Sequence, residues 1–204
     1  MTPKVQKPFA KIVKELVELK DTSELMMDLA YSSLLLSSRE LAEEVEALEE
    51  RMDNLHTEFE LLVLASGFKS EESKDFLGLI RLGVATENIA DAAAEIAGVV
   101  LRGLEPHPIL KDVIKEAEET VTRVQVSRKS TLIGKSLRKV KLPEETGMWV
   151  LAIRRGKKWI RPKPNLTLKA GDFLIAAGYA EGKEDLNKLA SGENISSGYT
   201  RAKN

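Results

Sequence analysis

The spacing of apolar residues changes near residue 120, and this change constrains the fold of the 204-residue chain more than any other feature. Upstream, apolar residues recur at alternating intervals of three and four, which is typical of packed helices. Downstream, apolar and polar residues alternate singly, which is typical of strands with one buried face. The sequence therefore predicts two domains, a helical bundle followed by a small α+β domain.

Two long helices are predicted in the first part of the bundle. The clearer one has a heptad seam from Leu41 to Leu62, and Ser37 with Glu40 forms a capping box at its start. Gly67 is a suitable C-terminal stop for it. An earlier helix is predicted over residues 9–37, with its apolar residues turned inward.

A third long helix is predicted from residue 70 to residue 103, and many small residues along it permit close helix contact. Its predicted inward seam is Leu79, Leu82, Thr86, Ile89, Ala93, Ile96 and Val100. Three long helices joined by short turns make an antiparallel bundle. A short fourth helix is predicted to begin at Pro108, because proline suits the first helical position.

The C-terminal part is predicted to hold four strands and two short helices. The strands cover residues 121–126, 148–154, 159–161 and 173–177, and the helices cover residues 132–140 and 181–189. A disordered tail is expected from residue 191. The predicted domains are therefore 1–120 and 121–190, followed by the tail 191–204.

The two parts carry opposite charges. Residues 1–120 contain 13 Lys and Arg against 25 Asp and Glu, a net charge of −12, and residues 121–204 contain 18 against 7, a net charge of +11. The chain has no Cys and only two His, which excludes disulfide scaffolds, cysteine zinc sites and thiol nucleophiles. Without a catalytic motif as well, the sequence predicts a binding protein and not an enzyme.

Four segments of the C-terminal part occur in a recognisable order: Ser130–Leu137, Gly147–Gly156, Ile160–Pro162 and Leu168–Gly178. Together they resemble the TrkA-C domain, the C-terminal lobe of regulatory subunits of potassium channels and transporters. The resemblance implies a cytoplasmic homodimer that binds a small ligand, such as cyclic di-AMP or another nucleotide, between its protomers. It also implies a membrane potassium or other cation transporter as the partner, through which the chain would be peripheral to the membrane.

By the same resemblance, five residues match the stretch where this family binds ligands: Arg154, Arg155, Ile160, Arg161 and Pro162. Guanidinium groups suit phosphate, and an isoleucine side chain suits the face of a purine. One alternative is that the basic residues only form a solvated surface that balances the acidic bundle.

Another alternative is a nucleic-acid surface, on which Trp149, Trp159 and Phe173 would stack bases. Their strand positions predict that these rings face a core instead, and the acidic bundle would repel nucleic acid. No nucleic-acid partner is therefore expected.

Two carboxylate pairs stand out in the bundle, in the segments Glu49-Glu-Arg-Met-Asp53 and Glu87-Asn-Ile-Ala-Asp91. Such pairs resemble the motif of PhoU-like proteins, helical regulators of phosphate and ion transport. The resemblance covers one three-helix repeat, whereas a full PhoU protein has two, so a dimer would restore the pair.

The carboxylate pairs allow two interpretations. Each pair lies one helical turn apart, so Glu49, Asp53, Glu87 and Asp91 together could hold a divalent metal through oxygen ligands. The chain would then be a metal-binding adaptor in phosphate signalling, with the TrkA-C domain as an oligomerisation element. The other interpretation is a solvated acidic face. His56 lies near Asp53 in sequence and is predicted to be partly exposed.

Overall fold

The computed structural model describes residues 7–67, 73–104, 109 and 119–193. The chain divides into two compact units between residues 106 and 107. The helix predicted at Pro108 lies outside the described residues, and so does most of the predicted tail. Among the described residues, no helix is long and apolar enough to cross a membrane.

The first unit is a bundle of three long helices, as predicted. They are α1 (Lys7–Leu35), α2 (Arg39–Leu64) and α3 (Ser73–Leu101), and each helix packs against the other two. Arg39 at the start of α2 ties two ends of the bundle together, because it donates a 3.0 Å hydrogen bond to the Leu101 carbonyl.

The seam of α2 faces the core as predicted, with a small drift along the helix. The predicted positions Leu41 and Phe59 are fully buried, but near the C-terminal end Val63 is buried where the heptad placed Leu62. A straight helix turns about 20° per heptad away from a seven-residue repeat, which explains the shift. The predicted cap is displaced by one residue, because Ser38 accepts the hydrogen bond from the Leu41 amide.

The predicted seam of α3 is partly wrong. Leu82 and Ile89, which were expected inside, are 50% and 47% exposed. The buried residues of α3 are small or lie at the helix start: Phe76, Gly83, Thr86, Ala90, Ala93 and Ala97. Small side chains let the helix axes approach closely, as at Gly83, where an added Cβ would stand 2.8 Å from a ring carbon of Phe59. Close packing therefore decides which face of α3 is inside.

Burial raises the pKa of Asp28 on α1 from 3.8 to about 6. A raised carboxyl pKa means that charged Asp28 opposes folding above pH 6, and that this cost fades as the pH falls towards 4. Each pKa unit is worth about 1.4 kcal/mol, and water still reaches the group. We therefore expect Asp28→Asn to raise the free energy of unfolding by about 1–2 kcal/mol at neutral pH and hardly at all near pH 4.

Denaturant unfolding followed by far-ultraviolet circular dichroism would measure this effect, because the three long helices dominate that signal. Glu58→Gln at an exposed position of α2 is the control and should change little at either pH. Equal stabilisation by Asp28→Asn at both pH values would show that the buried charge is not its cause.

Over residues 119–193, the second unit is an antiparallel four-stranded sheet with three short helices. Its elements are β1 (Glu119–Gln125), α4 (Leu137–Val140), α5 (Leu142–Thr146), β2 (Met148–Arg155), β3 (Lys158–Ile160), β4 (Phe173–Tyr179) and α6 (Gly182–Ser191). The strand order is β1-β4-β2-β3, and α6 packs against the sheet. The predicted α+β class and the four strands are confirmed.

The strand register separates a core row from an outer row of side chains. Val124, Leu174, Ile153 and Ile160 are aligned across the four strands, and all four pack in the core. The next row across the sheet is Gln125, Phe173, Arg154 and Trp159. Because successive side chains of a strand point to opposite faces, this second row lies on the face away from the core.

The helix predicted over residues 132–140 is wrong in extent. Only α4 is helical there, and α5, which was not predicted from the sequence, follows it directly. Lys141 separates the two helices with a φ of +48°, and Gly147 ends α5 with a φ of +68°. Two left-handed residues therefore bracket α5 and turn the chain sharply into β2.

Candidate functional site

Arg155 is bound to a buried aspartate inside its own domain. Its Nε and Nη2 atoms donate 2.8 Å hydrogen bonds to the two carboxylate oxygens of Asp172, and Nη2 also donates to the Thr167 carbonyl. Asp172 is 1% exposed and accepts a further bond from the Lys169 amide. The hydrogen bond to Asp172 raises the pKa of the Arg155 guanidinium above its ordinary value. Arg155 thus joins the end of β2 to the turn before β4.

Arg154 lies on the outer face of the sheet, next to aromatic rings. Its guanidinium carbon is 4.8 Å from the ring centre of Phe173 and 5.9 Å from that of Trp159. Arg123 of β1 approaches the same Phe173 ring to 4.5 Å. Phe173 therefore has two cations within cation–π distance. Arg154 and Arg155 are adjacent in sequence, but Arg154 contacts aromatic rings on the outer face whereas Arg155 binds a buried carboxylate.

The remaining three residues of the predicted ligand stretch are also distributed. Ile160 packs against the hydrophobic core, and Arg161 is half-buried just after β3. Pro162 lines a cavity of about 430 Å³. The structure thus brings only part of the predicted stretch to any one surface, and the ligand role of the five residues stays a prediction.

The cavity at Pro162 combines apolar walls with a basic rim, and we call it the basic pocket. Its lining consists of Leu137, Arg138, Lys141, Leu142, Pro143, Glu144, Trp149, Val150, Pro162, Lys163 and Pro164. Trp149 is 50% exposed, so the prediction that this ring faces a core is wrong. Flat aromatic and proline surfaces beside three cations suit a ligand with a planar ring and an anionic group.

A second cavity of about 760 Å³ shares Pro143 and Glu144 of α5 with the basic pocket. Its rim is acidic, because it also includes Glu145, Glu181 and Asp185. Tyr179 lines this cavity, and its ring packs edge-on against Trp149 with 6.3 Å between the ring centres. Cavities of opposite charge therefore share the α5 wall and a contacting pair of rings.

The four carboxylates predicted for a metal separate into two groups. Burial raises the pKa of Glu49, and the negative charges of Asp53, Asp91 and Glu46 raise it further, so these groups influence one another. Glu87 instead contacts His56, with 2.9 Å between its Oε2 and the imidazole Nδ1. His56 is only 8% exposed, so its predicted surface position is wrong.

No group of three or more His, Asp or Glu side chains is placed to hold a metal ion in the part of the chain that the structure describes. The mutual effect on the pKa of Glu49 shows repulsion between carboxylates, which a cation would relieve. The metal interpretation and the phosphate-signalling adaptor that it would serve stay predictions.

The basic pocket was not predicted from the sequence. Arg138, Lys141 and Lys163 belong to the basic residues of the C-terminal part, and no motif in the sequence groups them with Trp149. The Pro-Lys-Pro run at 162–164 was the available signal, since alternating prolines fix a rigid wall. The rest depends on how α5 packs against β2.

Two domain families match the chain in the predicted order. Residues 16–100 match the PhoU domain, and residues 121–191 match the TrkA-C domain. Both resemblances expected from the sequence are therefore confirmed. No curated protein matches the chain.

Several solved structures resemble part of the chain. One is the RCK C domain of the potassium transport protein KtrA in complex with cyclic di-AMP, with 27% identity, a TM-score of 0.33, and coverage of 39% of this chain and 93% of that one. Another is the GsuK channel bound to NAD, with 18% identity, a TM-score of 0.34, and coverage of 57% and 21%. The third is S. agalactiae BusR in complex with its busAB promoter DNA, with 14% identity, a TM-score of 0.34, and coverage of 64% and 82%.

Proposed function

We propose that this chain, a PhoU domain followed by a TrkA-C domain, is a regulatory subunit that senses a phosphorylated small molecule and controls potassium or other cation transport across a membrane. Both domains belong to regulatory families, which supports a role in control and not in catalysis. In this proposal the chain is a homodimer in the cytoplasm, and a membrane transporter or channel is its partner.

The observation that carries the sensing part of the proposal is the basic pocket. An exposed indole ring and three prolines offer flat apolar surfaces, while Arg138, Lys141 and Lys163 supply positive charge. A volume of about 430 Å³ lies within the range of small-molecule sites and has room for a nucleobase with its sugar phosphate. A nucleotide is therefore the ligand class with the best fit.

Regulation follows if the ligand binds one dimer geometry better than another. Ligand binding then shifts the population between the two geometries, and the helical bundles move with the domains to which they are joined. The helix α5 forms one wall of the pocket, and a residue with left-handed backbone lies at each of its ends. In this proposal the ligand contacts α5 and changes the position of this short helix.

Equilibrium binding to cyclic di-AMP, ATP, ADP and NAD at physiological salt tests the sensing proposal. We expect saturable binding of one of them, and about tenfold weaker binding after Arg138→Ala, because a charge-assisted hydrogen bond is lost. Arg128→Ala removes another exposed arginine, outside the pocket, and should leave the affinity unchanged. Absence of saturable binding to all four would contradict the sensing role.

A comparison with Arg154→Ala locates the ligand. If Arg154→Ala weakens binding and Arg138→Ala does not, the ligand lies next to Arg154, within the stretch that the family resemblance implies, and not in the basic pocket. For the transport part, rubidium uptake should change when the gene is deleted, and the Arg138→Ala chain should restore uptake without its response to the ligand. Unchanged uptake after deletion would contradict that part alone.

A further inference from the structure

The outer side of α3 carries an apolar stripe that is largely exposed. Leu82 and Ile89 are about half exposed, Ile96 is half-buried, and Gly78, Ala85 and Ala92 alternate with them along the same side of the helix. These six residues, which we call the α3 stripe, follow the alternating spacing of a coiled-coil seam. The bundle core of α3 lies on a different side, through Gly83, Ala90 and Ala97.

The stripe alternates large and small side chains, which makes it complementary to itself. In an antiparallel pair of α3 helices, Leu82 of one copy lies opposite Ala92 of the other. In the same register Ile89 lies opposite Ala85, and Ile96 lies opposite Gly78. An added Cβ at Gly78 would meet nothing within 4 Å, so an isoleucine side chain finds open space there.

Charges beside the stripe favour the same register. Arg81 and Glu95 lie on one flank of the stripe, and both are exposed. The antiparallel pairing that matches large to small residues also brings Arg81 of each copy next to Glu95 of the other. A two-fold axis generates this ion pair twice, and it places Asn88 next to its own copy.

We propose that the α3 stripe is an interface between two copies of this chain, with their α3 helices antiparallel. The stripe extends over 19 positions, from Gly78 to Ile96, which is roughly 27 Å at 1.5 Å per residue. A contact of one helix pair is narrow, so the association is expected to depend on concentration. The inference does not rest on ligand binding or on a transporter, and it concerns the bundle, not the ligand-sensing domain.

Disulfide cross-linking of the full chain tests the interface directly, because the natural sequence has no Cys. Asn88→Cys places a single thiol beside the proposed two-fold axis, and Asn54→Cys makes the same replacement at an exposed position of α2. We expect Asn88→Cys to form a covalent dimer at least about tenfold faster than Asn54→Cys under mild oxidation, since only its two thiols meet. Equal rates for the two variants would overturn the proposal.

Charge exchange tests the register. Arg81→Glu alone and Glu95→Arg alone each place like charges opposite each other, so each should weaken self-association, measured by sedimentation equilibrium, by about tenfold. The double variant Arg81→Glu/Glu95→Arg should recover the natural affinity. An equal mixture of the two single variants should form heterodimers in preference to homodimers, because mixing restores both ion pairs.

These experiments distinguish a second copy of the chain from a different protein as the partner that binds the stripe. If the single variants associate as tightly as the natural chain, the stripe does not join two copies in this register and the proposal is wrong. The substituted side chains are exposed, so circular dichroism should show unchanged helix content in every variant. A different protein bound to the stripe would leave cross-linking at Asn88→Cys no faster than at the control position.

Discussion

Arg155→Ala should destabilise the TrkA-C domain by about 3–5 kcal/mol, the largest loss that we expect from any single side chain. The substitution removes three hydrogen bonds and leaves the Asp172 carboxylate, which is 1% exposed, without its cation. The desolvation cost of the buried Asp172 carboxylate is then offset, among the described residues, by the hydrogen bond from the Lys169 amide.

Tryptophan fluorescence during denaturant unfolding would measure this loss, because both tryptophans of the chain, Trp149 and Trp159, lie in this domain. Arg154→Ala is the matched control on the same strand. It removes a guanidinium that lies over aromatic rings and should cost about 1 kcal/mol. A similar cost for both variants would show that the ion pair adds nothing beyond the loss of an arginine side chain.

The double variant Arg155→Ala/Asp172→Ala separates the ion pair from the packing of its members. Because the double variant leaves no isolated charge, its cost should be smaller than the sum of the two single costs, by more than about 1 kcal/mol. Additive costs would contradict a direct interaction between the two groups. The same pair also explains why a loss of ligand binding in Arg155→Ala would need a folding control before it could be assigned to the site.

Gly182→Ala should destabilise the same domain by about 3 kcal/mol. Gly182 is the first residue of α6, and a Cβ there would overlap the carbonyl oxygen of Thr146 at the end of α5. The obstacle is backbone and cannot rotate away, so α6 must move off the sheet that it covers. Gly178, where a Cβ would overlap the Gly147 carbonyl oxygen, shows that the same corner is crowded from β4 as well.

Gly134→Ala is the control for this prediction, measured by the same fluorescence transition. Gly134 has a φ of +75° but open space around its Cβ position, so alanine meets only backbone strain, worth about 1–2 kcal/mol. If Gly182→Ala costs no more than Gly134→Ala, then α6 shifts easily and its contact with α5 contributes little to stability.

The sequence predicted those features that depend on local periodicity. The seam of α2 and the four strands follow from apolar spacing, which each segment carries by itself. The inward face of α3 was mistaken because hydrophobicity favours Leu82 and Ile89, whereas close packing against Phe59 requires Gly83. At this position the fit in size between two helices determines which face is buried, and the hydrophobicity of the residues does not. The sequence of α3 alone does not show which side chains of α2 it must fit.

The site depends on contacts between distant segments, which explains why it was predicted only in part. Arg155 contacts Asp172 because β2 and β4 pair in one register. The sequence of the predicted ligand stretch does not contain this register. His56 was expected to be partly exposed, but it is buried, and Glu87 of α3 places a carboxylate oxygen 2.9 Å from its imidazole Nδ1. The resemblance to known domains identified the segments, but the surface on which each side chain lies depends on the fold.

The position of α5 has a mechanical consequence for the two cavities beside it. One short helix forms a partition between a compartment rimmed by cations and a compartment rimmed by carboxylates, and Pro143 and Glu144 belong to both. Because both cavities are lined by the same helix, any movement of α5 changes the walls of both. A solute bound against α5 in one cavity is therefore expected to alter the shape of the other.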